Sequence, residues 1–209
     1  RLASTTKTID ITNEGNISVT GKAIGIYADN TSTIAGFNNH VTKENAVVNN
    51  KASLNFGDES IGILTKKATV NLTGTGTDDI SVGKDGIGVY ADNSDVSVTQ
   101  AVDMKFVAGT TGENVGIYSK GPGTGVTGKT VTILGNGSKI NINGGTTGKG
   151  TALYSGAGGK IIADSTATNG GLEITVTKGA AAIASDGTNS NVSAKFANID
   201  YSGEGYALY

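Results

Sequence analysis

Short runs along the chain alternate apolar and polar residues with a period of two. They read "ATVNLTG", "DISVG", "SDVSVTQ", "DMKFV", "KTVTILG", "KININGG", "KIIAD" and "LEITVTK". Such alternation marks a strand with one buried face. Gly, Asn, Asp and Ser fill the gaps between runs, which reads as turns. No window carries a helical apolar stripe.

A second pattern is laid over the first. The phrase "GIGVYADNS", from Gly86 to Ser94, nearly repeats "AIGIYADNT", from Ala23 to Thr31. Weaker copies place its central small residue at Gly25, Gly62, Gly88, Gly116, Ala152, Ala182 and Ala207, at intervals of 37, 26, 28, 36, 30 and 25 residues. Most periods hold two further short strands between markers. A single coil of three strands cannot bury its apolar side alone, but stacked coils can, each strand pairing in parallel with its equivalent one turn on. The pattern predicts an all-β chain: a right-handed parallel β-helix of about seven coils of about 30 residues, three short strands each. With strands about 4.8 Å apart, the rod is about 30–35 Å long. Residues 1–209 read as one β-helix segment. The longer intervals place protruding loops at 30–45 and 120–129, since insertions in a solenoid map to loops.

The repeated phrase assigns sides. In "AIGIYADN", alternation sends Ile24 and Ile26 to the core and Gly25 and Tyr27 outward. Ile87 and Val89 follow the same rule, and Asp29, Asn30, Asp92 and Asn93 make corners through Asx bonding. Tyr27, Tyr90, Tyr118, Tyr154 and Tyr209 then share one outer face, with Leu64 and Ala184 in the remaining slots. The small residue two positions earlier leaves space beside each ring. Two readings of this row stay open: a ladder of stacked rings that fixes register, and an aromatic stripe against which a sugar ring or a partner protein rests.

Composition agrees with strands. Val and Ile number 35 against 8 Leu, and β-branched residues fit a pleated surface. The 33 glycines weaken helices and suit frequent turns. Net charge is −2, with scattered charges and no basic stripe, so nucleic acid is not an expected partner. No apolar run reaches the length of a membrane span, and "RLASTTKTID" has no signal-peptide core. The absence of Cys fits a cytosolic chain or one threaded unfolded across an oxidising compartment, and does not choose between them.

The phrases "AIGIYADN", "VNLTGTGTDDISVGKDGIGVYADNS" and "GVTGKTVTILGNGSKI" resemble the passenger domains of type V autotransporters, above all the large outer-membrane adhesins of fusobacteria. The likeness runs along essentially the whole chain. It implies a fragment of a longer solenoid, whose signal peptide and C-terminal membrane β-barrel lie outside these residues. It further implies display at the cell surface, anchorage through that barrel, and attachment to a host or bacterial surface receptor, protein or glycan.

A search for chemistry finds little. His40 in "GFNNHVTKE" has no nucleophile phrase beside it. Neither H-E-x-x-H nor G-x-S-x-G occurs, and the glycines of "GPGTGVTG" do not follow the strand-then-helix order of a phosphate loop. Because β-helices also cleave polysaccharides, the acidic pairs Asp58–Glu59 and Asp78–Asp79 form an alternative reading as lyase or hydrolase carboxylates. Arg1 is the only Arg, so a lysine would have to meet a sugar carboxylate. Calcium-repeat and EF-hand spacings are absent, and "TVT" does not recur at one place in each coil, as a flat ice-binding face needs. The expectation is a monomeric, non-enzymatic adhesin segment or stalk with no metal and no cofactor. Its candidate binding residues are Phe37, Asn38, Asn39 and His40 in the first long loop, and Tyr27, Tyr90, Tyr118 and Tyr154 on the tyrosine face.

Overall fold

The structure is a computed structural model, and it describes residues 8–29, 45–74, 79–98, 101–107, 113–123, 128–133, 137–144, 149–165 and 171–209. Among these the chain is all β. The first coil holds β1 (Thr8–Asn13), β2 (Ile17–Val19) and β3 (Ile24–Asp29); the second holds β4 (Asn45–Asn50), β5 (Leu54–Phe56) and β6 (Ile61–Lys66). The third is β7 (Thr69–Leu72), β8 (Ile80–Val82) and β9 (Ile87–Asp92), and the fourth β10 (Asp95–Val98), β11 (Asp103–Val107) and β12 (Glu113–Lys120). Next come β13 (Thr130–Ile133), β14 (Lys139–Asn143) and β15 (Lys149–Gly156), then β16 (Lys160–Ile162), β17 (Glu173–Thr177) and β18 (Ala181–Asp186). The seventh coil is β19 (Asn191–Ser193), β20 (Asn198–Ser202) and β21 (Tyr206–Leu208).

Each strand pairs in parallel with its equivalent in the neighbouring coil. The result is three sheets of seven strands: the β1 sheet, the β2 sheet and the β3 sheet, each taking every third strand. This is a three-sided parallel β-helix, as the pattern predicts. No helix long and apolar enough to cross a membrane occurs among the described residues.

The core is the set of inward columns. In the β2 sheet, Leu54, Ile80, Met104, Ile140 and Ile174 stack in register and are buried. In the β1 sheet, Val70, Val96, Val131 and Ile161 do the same. Parallel sheets need both faces accounted for, and here one face is dry while the other carries Asn, Ser, Thr and Lys.

The third sheet departs from simple alternation. Its ladders pair Ile24 with Ile61 and Ile26 with Ile63, and skip the glycine between; the same skip recurs in every coil. The strand bends at the marker, so two consecutive residues face inward. Gly25 and Ile26 point to the core, as do Gly88 and Val89, while Ile24 is 48% exposed and Ile87 is half-buried. The expectation that Ile24 and Ile87 face the core is therefore corrected, and that for Ile26 and Val89 stands.

The bend also explains the small residue. A Cβ at Gly25 would lie 2.2 Å from Cζ of Phe56, and one at Gly88 would lie 2.7 Å from Cζ of Phe106. Side chains of the opposite sheet fill the space each glycine leaves. The glycine does not leave room beside the tyrosine ring, as alternation had suggested; it leaves room inside.

Corners are closed by small polar side chains. Ser94 Oγ accepts the Ala68 N–H at 3.3 Å and donates to the Asp92 carbonyl at 3.0 Å. Ser60 Oγ accepts the Ala23 N–H, and Asn114 Oδ1 accepts the Gly86 N–H. All three residues are buried, and the bonds to the Ala68 and Gly86 N–H groups are buried with them, so they satisfy backbone donors that water cannot reach.

Candidate binding face

Tyr27, Leu64, Tyr90, Tyr118, Tyr154 and Ala184 stand in one register column on the outside of the β3 sheet. Tyr209 follows Leu208 and its backbone bonds Ile183 and Ser185, which places it beside Ala184. The sequence-predicted row is thus brought together in full. Its ends are exposed, Tyr27 by 49% and Tyr209 by 69%; Tyr90, Tyr118 and Tyr154 are half-buried, and Leu64 and Ala184 are buried beside them.

The middle three rings stack. Tyr90 and Tyr118 lie 4.8 Å apart between centroids at 20°, and Tyr118 and Tyr154 lie 4.8 Å apart at 35°. That spacing is the coil repeat itself, so the solenoid's own rise brings the rings into contact. These three rings therefore cover one another's faces, whereas Tyr27, beside Leu64 and 49% exposed, stacks on no other ring among the described residues.

A second row runs beside the first. Two residues after each ring position stand Asp29, Lys66, Asp92, Lys120, Gly156 and Asp186, in register. Lys120 Nζ meets Asp92 Oδ2 at 3.3 Å, and Tyr27 donates its hydroxyl to Asp29 Oδ2 at 2.6 Å. Lys66 Nζ lies 6.0 Å from the centroid of the Tyr27 ring, at the outer limit of a cation–π contact. The sequence analysis missed this charged row. The signal was there: aligning the phrases at their tyrosine slot puts Asp, Lys, Asp and Lys in one column.

The face has its own electrostatics. Burial raises the Tyr118 phenol above its ordinary pKa, helped by the phenols of Tyr90 and Tyr154. Burial raises Tyr154 too, with the Asp186 carboxylate adding to it. Tyr90 and then Asp92 raise Lys120, so it stays cationic across the physiological range. The face is a row of phenol hydroxyls edged by the Asp92–Lys120 ion pair and by Asp29, Lys66 and Asp186. It can donate and accept hydrogen bonds along the rod.

The other candidates divide. Phe37, Asn38, Asn39 and His40 lie outside the described residues, as does most of the 30–45 loop. Of the 120–129 loop, Lys120–Gly123 and Gly128–Lys129 are described. Gly121, Gly123 and Gly128 donate their N–H groups to the carbonyls of Gly156, Ala157 and Gly158, so the described ends of this loop rest on the turn of the next coil. Asn93 sits at the predicted corner with a φ of 46°, a left-handed conformation that Asn tolerates. Its Oδ1 accepts the Lys129 N–H of the next coil, whereas the local corner bond belongs to Ser94.

Of the carboxylates of the enzyme alternative, Asp78 lies outside the described residues, and the other three are tied into bonds between coils. Asp58 Oδ1 accepts the Lys84 N–H, Asp79 Oδ2 accepts the Asp103 N–H, and Glu59 is paired with Lys22 at 2.8 Å. Among the described residues, no three His, Cys, Asp or Glu side chains gather as a metal site. Compared with family models, curated protein sequences and solved structures, the chain matches none.

Proposed function

We propose that the chain is a non-catalytic segment of a surface-displayed autotransporter adhesin, and that it attaches to a host or bacterial surface receptor along its tyrosine face. The observation that carries this reading is the pair of rows on the β3 sheet. Hydroxyls of Tyr90, Tyr118 and Tyr154 repeat at the coil spacing beside the Asp92–Lys120 pair. Such a rank suits an extended ligand, a glycan chain or a strand of a receptor, that lies along the rod and bonds each coil weakly. Weak contacts repeated over many copies sum through avidity. The stacked coils hold the rank rigid and carry it away from the membrane that anchors the parent chain. Asp58, Glu59 and Asp79, held in bonds between coils, support a non-enzymatic reading.

The test is binding of the fluorescent, folded chain to a glycan array and to intact epithelial and bacterial cells. The variant Tyr90→Phe/Tyr118→Phe/Tyr154→Phe keeps the rings and removes the hydroxyls. Saturable binding that falls about tenfold or more in this variant, with unchanged circular dichroism, is the expected result, at about 1 kcal/mol for each lost hydrogen bond. Binding that survives there and disappears in Phe37→Ala/His40→Ala would move the site to the first long loop. No binding by the parent chain would make the segment a spacer.

A further inference from the structure

The chain has no Cys, no Trp and a single Met. Met104 is 2% exposed, deep in the core. The thiols and thioethers that oxidants attack first are thus missing or buried. Seven tyrosines remain as oxidisable aromatic side chains with a hydroxyl. Without cysteine, no disulfide can join one coil of this chain to another.

Three of the tyrosines are set against one another. Tyr118 pairs in register with Tyr90 on one side and with Tyr154 on the other. Its ring centroid lies 4.8 Å from each of theirs. Register also gives the rings a common direction. A methyl built on Gly156 would lie 3.3 Å from the Tyr118 hydroxyl and 3.5 Å from the Tyr154 hydroxyl, with Cε2 of Tyr118 at 3.4 Å. Both hydroxyls therefore lean over one glycine, and the Cε carbons beside them face each other across the stack. The remaining tyrosines lack this setting. Leu64 separates Tyr27 from Tyr90, and Ala184 separates Tyr154 from Tyr209. Tyr201 lies on the β2 sheet and donates its hydroxyl to the Gly179 carbonyl at 2.9 Å. Tyr206 and Tyr209 are 5.9 Å apart.

We propose that Tyr118 is a site of oxidative cross-linking, at which hydrogen peroxide, acting through a haem peroxidase, joins it to a ring stacked on it and ties two neighbouring coils by a covalent bond. Each of two phenols gives up one electron and its hydroxyl proton. The resulting phenoxyl radicals carry unpaired spin on the Cε carbons, ortho to oxygen. The radicals combine in a bond between Cε of Tyr118 and Cε of Tyr154 or Tyr90. The hydrogen on each bonded Cε then moves to its own ring's oxygen, through solvent, and both phenols are restored. Two hydrogen atoms leave the pair in all, and one peroxide takes them up to become two waters. All three residues keep part of their surface in water, so the protons have an exit.

Contact is what favours this pair over single exposed rings. Radicals on separate molecules must meet by diffusion, whereas here the partner is held in place. To bond, stacked rings turn toward an edge-to-edge setting. Tyr118 and Tyr154 are already tilted by 35°, and Gly156 puts no side chain in their way. Tyr90 and Tyr118 are tilted by 20° and flanked by the Asp92–Lys120 pair. Coupling to Tyr154 should therefore predominate. The bond closes a coil of 36 residues and constrains the unfolded chain as a disulfide would. The cross-link does not depend on what the tyrosine face binds.

The test treats the whole chain, at low concentration, with hydrogen peroxide and a haem peroxidase, then isolates the monomer and digests it with trypsin. Cleavage after lysine puts Tyr90, Tyr118 and Tyr154 on separate peptides, 85–105, 106–120 and 150–160. The expected result is dityrosine fluorescence in the monomer, with peptide 106–120 joined to 150–160 and, in lesser amount, to 85–105. Each joined pair is lighter than its sum by two hydrogen atoms. Tyr206 and Tyr209 share peptide 196–209, so a bond between them is told apart. Tyr118→Phe keeps a ring in the stack and removes the phenol that both neighbours share; it should lose these products, whereas Tyr27→Phe should retain them. Circular dichroism confirms that both variants fold. The oxidised parent should unfold at a higher urea midpoint than the untreated chain, and oxidised Tyr118→Phe should not. No dityrosine in the monomer, dityrosine confined to peptide 196–209 or to bonds between molecules, joined peptides in Tyr118→Phe at the parent's yield, or a linked chain whose midpoint does not rise would overturn the proposal.

Discussion

The marker glycine gives the sharpest energetic test. A methyl built on Gly88 would lie 2.7 Å from the Gly116 carbonyl oxygen and 2.7 Å from Cζ of Phe106, where ordinary contact begins near 3.4 Å. Something must yield by about 0.7 Å. Phe106 is 3% exposed and packed on all sides, so it cannot swing into solvent. Overpacking of this kind costs about 1–3 kcal/mol, and Gly88→Ala should lie near the middle of that range, at about 2 kcal/mol. Ala152 and Ala182 occupy the same column, so the neighbouring carbonyl alone does not forbid a methyl. The aromatic ring is the obstacle. Phe106→Leu alone should cost about 1 kcal/mol for lost packing. In the double variant the shorter side chain admits the methyl, and the two effects should fall short of their sum by about 1–1.5 kcal/mol, a coupling typical of residues in contact. Urea denaturation followed by circular dichroism reads these as shifts of midpoint at constant slope. Gly15→Ala is the control, since nothing lies within 4 Å of a methyl there, and it should stay within about 0.5 kcal/mol of the parent. A neutral Gly88→Ala, or a double variant equal to the sum of the singles, would refute the inward placement of this residue.

Two further outcomes follow from corners and from the tyrosine face. Ser94→Ala strands the buried Ala68 N–H and should cost about 1–3 kcal/mol in the same denaturation assay, whereas Ser97→Ala, on the outer face of the same strand, should change little. Raised phenol pKa values at Tyr118 and Tyr154 mean that the folded state holds these protons more tightly than the unfolded chain. Their contribution to stability is complete below the ordinary value near 10 and is lost as pH rises through the raised values. Ultraviolet titration of tyrosinate should show a late component that Tyr118→Phe reduces, and ionisation matching free tyrosine throughout would contradict the stacked, half-buried row.

The period-two runs determine their strands through local chemistry that every coil repeats. "ATVNLTG" contains β7, "LEITVTK" contains β17, and the tyrosine slots fall in one column because each coil returns to the same phrase. Repetition makes a solenoid legible: neighbours in space are the same phrase one period on, and pairing partners can be read by alignment. Even the charged row Asp29, Lys66, Asp92 and Lys120 was legible in that way.

Sidedness at the marker was decided only by tertiary structure. Alternation assumes a straight strand, and the chain bends where Gly25 and Gly88 meet the rings of Phe56 and Phe106 from another sheet. That contact joins residues of different phrases, so no local pattern records it. The same holds for Ser60, Ser94 and Asn114, ordinary turn residues in sequence whose buried bonds exist because a corner of the adjacent coil has no water to satisfy it. The sequence by itself determined which residues repeat and therefore stack. The packing of three walls around one narrow core decided which of them turn inward, because that space is shared by side chains far apart along the chain.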